Sequence, residues 1–324
     1  MTRKRLAFAC DLNVLTWPVY EGLVEPSGID LNFLATNDVV DIFNRMIRHQ
    51  EFECSEMSMS SYLMACDRDA PQFTAIPVFP SRVFRHGFIF VNADSGIEKP
   101  ADLRGTDVGV PSYTMTAALW ARGVLQHEYD VHSADVTWYQ ASPQGTAADD
   151  PLAFDYPEDV TVEQKPAGET LSDLLAAGEL DALVSPKVPP SYDGEHVRRL
   201  FPNYRAVEAE YYDRTGHFPI MHTIVVRDDV LDESPWVASE LTTLFDRAKE
   251  MMFEELRATS QRRLSIPWVA HTLEDVEARM GEDFWPYGVA ENEDTLDAMT
   301  AFAYEQGFTS EKLAVDDLFA PNCY

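Results

Sequence analysis

The sequence predicts an α/β protein folded as two lobes joined by two crossing strands. Three observations carry this reading: a β-α-β-α opening, two long extended runs near residues 84–92 and 218–227, and a central block between them with its own β-α grammar. At 324 residues the chain is long enough for two medium domains, each burying its own core. The boundaries expected are residues 1–91 plus 223–324 for the first lobe and 92–222 for the second, with a cleft between them.

The apolar run at 6–10 reads as a buried strand, and "GIDLNFLAT" as a second one after a Pro-Ser-Gly turn. A helix fits between them. "DVVDIFNRMIRHQ" follows with helical apolar spacing at Val40, Phe43, Met46 and Ile47. "FECSEMSMSSYLMACDRD" runs from a short strand into a Ser-rich helix start, and "FTAIPVFPSRVFRHGFIFVN" continues as extended chain. In the central block, residues 107–110 are a strand and 112–116 the first turn of a helix, while "TLSDLLAAGELDALVSP" gives a helix, a glycine stop and a strand at 182–185. "SPQGTAADDPLAFDYPED" reads as an acidic surface loop of the second lobe. "FPIMHTIVVRDDV" is the second long extended run, and mainly helical segments follow Pro235.

Composition narrows the partners. The formal net charge is −30, from 55 Asp+Glu against 25 Lys+Arg, and only six of those cations are lysine. A carboxylate-rich surface disfavours nucleic acid and anionic membranes, and its self-repulsion is screened by salt. A salt-loving host is therefore expected. The four cysteines show no C-x-x-C spacing and no dense framework, which points to reduced thiols and away from zinc. No stretch reaches the ~18 apolar residues of a spanning helix, and the apolar run after "MTRKR" is too short for a secretion signal, so cytoplasmic residence is expected. Homo-oligomerisation stays open.

Candidate chemistry lies where ligands sit in open α/β sheets, beyond the carboxyl ends of strands and beside helix N-termini. Three hydroxyl-rich segments fall there: residues 58–61, which include Ser60 and Ser61; residues 112–116, which include Tyr113, Thr114 and Thr116; and the "SPKVPPSY" loop. "PSRVFRHGFIFVN" sets two arginines and a histidine in an apolar run. As a strand it would put Arg82 and His86 on one face and Arg85 on the other. A buried cation needs a counter-charge, from an internal carboxylate or from a bound anion. Two guanidiniums beside a histidine suit a di-anionic ligand, because the guanidinium fork matches a carboxylate. His222 is the counterpart of His86 on the second extended run, and Glu56 sits at the Ser-rich helix start, where burial would suit it to acid–base work. "HEYDVH" has metal-like composition but spacing that matches no known site, and reads as a turn. No H-E-x-x-H, G-x-S-x-G, P-loop or G-x-G-x-x-G is found.

Five segments, "FNRMIRHQEFECSEMSMSSYL", "AIPVFPSRVFRHGFIFVN", "PADLRGTDVGVPSYTMTAALWARGVLQHEY", "LFPNYRAVEAEYYDRTGHFPIMHTIVVR" and "GEDFWPYGVAENEDTL", closely resemble 4,5-dihydroxyphthalate decarboxylases. The resemblance implies a type 2 periplasmic-binding-protein-like fold with two crossing hinge strands. It also implies non-oxidative loss of CO2 from a small anionic aromatic dicarboxylate. That chemistry requires no organic cofactor and leaves a divalent metal open. From the matched motifs, proton transfer is expected of His86, His222 and Glu56. Carboxylate binding is expected of Arg82, Arg85, Ser60, Ser61, Thr114 and Thr116, and Tyr113 is expected to cover the ring. The alternative is a solute-binding module that captures a small carboxylate without chemistry.

Overall fold

The computed structural model describes residues 3–68, 72–141, 152–165, 168–258 and 266–323. Two mixed sheets form its frame. The first contains β1 (Lys4–Asp11), β2 (Ile29–Thr36), β3 (Cys54–Ser58), β4 (Phe73–Arg82) and β11 (Ile220–Arg227), in the order β2-β1-β3-β11-β4. The second contains β5 (Ile89–Asn92), β6 (Asp107–Val110), β7 (Thr137–Gln140), β8 (Thr161–Gln164), β9 (Ala182–Val184) and β10 (Val197–Arg199), in the order β10-β5-β9-β6-β7-β8.

Strands β1, β2 and β3 are parallel, and β11 is antiparallel to both β3 and β4. In the second sheet β9, β6, β7 and β8 are parallel, with β5 and β10 antiparallel at one edge. Helices occupy the connections between the strands. They are α1 (Trp17–Tyr20), α2 (Val39–His49), α3 (Met59–Asp67), α4 (Thr116–Tyr129), α5 (Leu171–Ala177), α6 (Tyr204–Thr215) and α7 (Asp228–Glu233). The C-terminal helices are α8 (Trp236–Arg257), α9 (Val269–Met280) and α10 (Glu293–Glu305).

Buried apolar residues form one continuous cluster that reaches from the first sheet into the second, with a smaller cluster under α5. Helix α8 covers the first sheet through Leu241, Leu244, Phe245 and Ala248, and the Phe245 ring meets Phe8 edge-on at 5.5 Å. Helix α10 lies against α4. Gly123 permits this approach, because a Cβ there would stand 2.2 Å from the Phe302 ring. The Trp120 indole N–H, also on α4, donates to the Ile220 carbonyl at 2.9 Å and ties that helix to β11.

The chain crosses between the sheets at 83–88 and returns between 200 and 219. The first crossing departs from the continuous extended run expected over 84–92. Strand β4 stops at Arg82, and residues His86–Phe88 form a 3-10 turn before β5 begins. Two causes are visible. Pro77 and Pro80 lack N–H groups, so β4 cannot keep a regular ladder. Between the pairs His222↔Ser81 and Ile224↔Ile76 it carries four intervening residues against one on β11. The turn itself is then held from α6, where Glu208 accepts the Gly87 N–H at 2.9 Å and the Tyr204 ring fills the place of a Gly87 Cβ. The face-by-face alternation read for Arg82, Arg85 and His86 therefore does not exist.

A second departure is smaller: α4 starts at Thr116, and residues 112–115 form the approach to it rather than its first turn. Of the acidic loop, residues 142–151 lie outside the described residues; Phe154 and Tyr156 beyond them pack on Tyr113. "HEYDVH" closes α4 through Asp130 in the left-handed region (φ 56°), and His127 pairs with Glu305 at 2.6 Å. All four cysteines are free. No described helix is long and apolar enough to cross a membrane.

Candidate active site

The carboxyl ends of the parallel strands of both sheets face one another. On the first sheet, β1 ends at Asp11 and β3 at Ser58, while antiparallel β11 begins beside them. Glu56 stands opposite Ile224 in the β3–β11 ladder and Ser58 opposite His222, so Glu56 and His222 are diagonal neighbours on one face. His222 Nδ1 donates to Glu56 Oε1 at 2.6 Å. The other oxygen, Oε2, accepts from the Asp11 N–H at 2.8 Å and from the Cys10 thiol at 3.2 Å.

Every acceptor of this buried carboxylate is thus engaged. Burial alone would raise the Glu56 pKa. The hydrogen bond and charge of His222, followed by the Asp11 N–H and the Cys10 thiol, outweigh it and hold the carboxyl below its usual range. Cys10 is driven the other way, first by burial and then by Glu56, so it remains a thiol and a donor. The His222 side chain is 21% exposed, and its one hydrogen bond among the described residues uses Nδ1, which leaves Nε2 for a ligand. The Phe43 ring steadies the imidazole edge-on at 5.0 Å. Asp11 is half-buried beside the pair, and burial, then Glu56, raises its carboxyl pKa; His222 and Lys187 act in the opposite direction. Lys187 lies in the exposed loop after β9, so this interaction spans the two sheets.

Beside the pair, α3 and α4 meet N-terminus to N-terminus. Ser58 Oγ and Thr116 Oγ1 are 2.9 Å apart, the Ser60 N–H donates to Thr116 Oγ1 at 3.1 Å, and the Ser60 hydroxyl donates to the Thr114 carbonyl at 2.7 Å. The Thr114 hydroxyl bonds Ser112 at 2.9 Å, and Ser61 is half-buried one position along α3. These hydroxyls form a seam that joins the lobes. Two positive helix ends at one place also bias it toward anions.

Of the remaining expected residues, Arg82, His86 and Tyr113 lie elsewhere, and Arg85 lies in the crossing against Met221. Arg82 is 4% exposed and donates to the carbonyls of Phe218 (3.1 Å) and Pro286 (2.7 Å) and to Asn292 Oδ1. It ties the end of β4 to the C-terminal segment. Arg85 is 5% exposed; its Nη2 contacts the Met221 sulfur, and its Nε and Nη1 have no partner among the described residues. Burial pulls the pKa of each arginine down to about 9, which leaves both charged at neutral pH.

His86 is buried among the rings of Tyr129, Phe201 and Tyr211, with neither ring nitrogen bonded to a described residue, and burial lowers its pKa to about 4. It sits at the Tyr129 end of α4, whereas the hydroxyl seam lies at the Thr116 end. Thirteen residues at 1.5 Å each separate the two by about 20 Å of helix. Tyr113 is fully buried, stacked with Phe154 and Phe308 and covered by the Arg122 guanidinium at 3.7 Å. So the structure brings together Glu56, His222, Ser60, Thr114 and Thr116, with Ser61 adjacent, and sets Arg82, His86 and Tyr113 in packing elsewhere.

Asp11, Cys10 and Lys187 escaped the sequence reading as site residues. A usable signal existed for Asp11: it ends the first apolar run, at the carboxyl end of the expected first strand. Among the described residues no group of three or more His, Cys, Asp or Glu side chains is arranged to hold a metal ion.

Comparison with solved structures identifies the frame. The chain is similar to the periplasmic aliphatic sulphonate binding protein SsuA from Escherichia coli, with TM-score 0.56 and 12% identity over 98% of this chain and 92% of that one. It is also similar to the alkanesulfonate-binding protein SsuA from Xanthomonas axonopodis pv. citri bound to MOPS, with TM-score 0.54 and 11% identity over 98% and 99%. The fold is that of the periplasmic binding proteins. No protein-family model matches the sequence.

Among characterised proteins, the chain is 36% identical over 306 residues to the 4,5-dihydroxyphthalate decarboxylase of Comamonas testosteroni, covering 94% of this chain and 92% of that protein. It is 36% identical over 214 residues to the enzyme of the same name from Pseudomonas putida, covering 65% and 83%. With that identity along nearly its whole length, the chain belongs to the 4,5-dihydroxyphthalate decarboxylase family.

Proposed function

We propose that the protein is a carboxy-lyase that converts 4,5-dihydroxyphthalate to protocatechuate and CO2 in aromatic catabolism, and that His222, held by Glu56, and Asp11 carry its proton transfers. The observation that carries the reading is the likeness to decarboxylases along 94% of the chain. The Glu56–His222 pair at the mouth of the first sheet supports the assignment of the chemistry.

In this substrate each carboxylate lies para to a hydroxyl. Removal of the phenol proton pushes electron density onto the carboxylate-bearing carbon. That carbon takes a proton, the C–C bond breaks with its electron pair returning to the ring, and CO2 leaves. One proton is consumed for each CO2 released. His222 supplies the proton through Nε2, and ionised Glu56 stabilises the imidazolium and fixes the ring orientation. Asp11, with its raised pKa, receives the phenol proton. The hydroxyl seam of Ser58, Ser60 and Thr116 holds the lobes in register, with Thr114 and Ser61 at its margin. Arg85 binds a substrate carboxylate, while Arg82 and His86 build the hinge. The departing carboxylate faces apolar side chains, because a fixed cation there would stabilise the ground state more than the transition state.

The test is incubation of the purified protein with 4,5-dihydroxyphthalate at high salt, following protocatechuate by chromatography and CO2 release. Formation of both at equal rates is expected. Saturable binding without product would replace this reading with that of a solute-binding protein.

A further inference from the structure

We infer that Arg199, at the end of the edge strand β10, is the guanidinium that holds the carboxylate remaining on the ring, working with Arg85 across the Phe88 side chain. This rests on the decarboxylase reading above and assigns a binding residue to it.

The topology places Arg199 at the mouth of the second sheet. Strand β10 is antiparallel to β5 with Arg199 opposite Phe90, and the Leu200 N–H donates to the Ile89 carbonyl at 2.9 Å. The start of β5 lies at the same end of the sheet as the carboxyl end of β9, where the Ser185 N–H donates to the Phe88 carbonyl at 3.1 Å. Arg199 thus shares this rim with the loop that carries Lys187.

Its guanidinium is stacked on aromatic rings. The Arg199 Cζ lies 4.6 Å from the Tyr204 ring centre, 5.1 Å from those of Phe90 and Tyr192, and 5.9 Å from that of Phe88. Arg85 Cζ lies 5.4 Å from the same Phe88 ring. Stacking orients a guanidinium and leaves its in-plane N–H groups unspent. Arg199 Nη1 and Arg85 Nε and Nη1 are buried without a partner among the described residues.

In a chain with 55 acidic residues, neither guanidinium forms an ion pair with a described carboxylate. The acid whose charge both feel is Glu208, which spends Oε1 on the Gly87 N–H. Two forks against one carboxylate leave a positive charge for an incoming anion. Tyr192 is exposed and Arg199 half-buried, so one side of the cluster is open.

Wild-type turnover of 4,5-dihydroxyphthalate is measured first, and an inert wild type overturns the reaction reading alone. In Arg199→Gln, the KM for 4,5-dihydroxyphthalate and the inhibition constant of protocatechuate, which bears only the retained carboxylate, should rise together by about tenfold or more, with kcat falling less than the KM rises. Arg199→Lys should recover only part of the loss, since an ammonium lacks the fork. A raised KM with unchanged protocatechuate inhibition would assign Arg199 to the leaving carboxylate and overturn the inference, as would no change in either constant. Should the variants not fold, phenylglyoxal labelling of the wild type followed by peptide mass mapping serves in their place. Protocatechuate must protect Arg199 from the reagent, and unimpeded labelling at saturating protocatechuate refutes the site whether or not the protein turns over its substrate.

Discussion

The mouths of the two sheets are built from opposite chemistry. The first presents Asp11, Glu56 and His222 on the ends of β1, β3 and β11, side chains that take up and release protons. The second presents cationic side chains: Lys187 in the loop after β9, Arg199 at the end of β10, and Arg85 in the crossing beside them. The first group is coupled by short hydrogen bonds, whereas the two arginines of the second are oriented by aromatic rings and short of acceptors among the described residues. On the proposed reading the first mouth is a reactive wall and the second a binding wall, which separates bond-breaking from anchoring. Substitutions on the first wall should then act on kcat, and those on the second on KM.

The largest effect expected is on the reactive wall. His222→Ala should lower kcat by roughly 10³ and Glu56→Gln by roughly 10², in line with the loss of a general acid–base group, without loss of the folded state in circular dichroism. Near-normal turnover in His222→Ala would break the comparison. On the hinge, Arg82→Met leaves two carbonyls and Asn292 without their donor and should cost about 2–4 kcal/mol in denaturant unfolding, with a smaller change in KM than Arg199→Gln produces.

His86 gives a pH signature distinct from that of the active pair. Its ordinary pKa of 6.5 falls to about 4 in the folded protein, so between those values the unfolded chain binds the extra proton. Stability through this group is fully present above about pH 6.5 and declines as pH drops toward 4, by at most about 3 kcal/mol. His86→Phe should flatten that part of the melting-temperature profile; an unaltered acid slope would remove His86 from it. The smallest and most general effect concerns the charge of −30: added KCl should raise the melting temperature of the wild type, and a flat response would argue against a salt-adapted surface.

Particular residues show how far the sequence could be read. Glu56 and His222 were both legible as acid–base candidates, from a carboxylate at a helix start and a histidine in an apolar run, but not as a bonded pair. They are 166 positions apart, and only the β3–β11 register makes them neighbours. The hydroxyl clusters at 58–61 and 112–116 were legible as groups near a cleft. That they bond each other rather than stand open depends on how close α3 and α4 come. Arg82, Arg85 and His86 were assigned faces on the assumption of a continuous strand. The two prolines of β4 and the grip of Glu208 and Tyr204 on Gly87 break that strand, and the second cause comes from a helix more than a hundred residues away. Arg199 offered no local signal at all, because an arginine in a short edge strand reads as solvated charge.

By itself the sequence determined the α/β class, the two-lobed frame and the family. Those follow from periodicity, from chain-end positions of strands and from motifs that are contiguous along the chain. Tertiary structure alone decided which proton-transferring groups share a hydrogen bond, which cations spend their donors on the protein's own carbonyls, and which are left to meet an anion. Pairing of this kind is a matter of distance in space, and a buried charge takes its meaning from whatever lies within about 4 Å of it rather than from its neighbours in sequence.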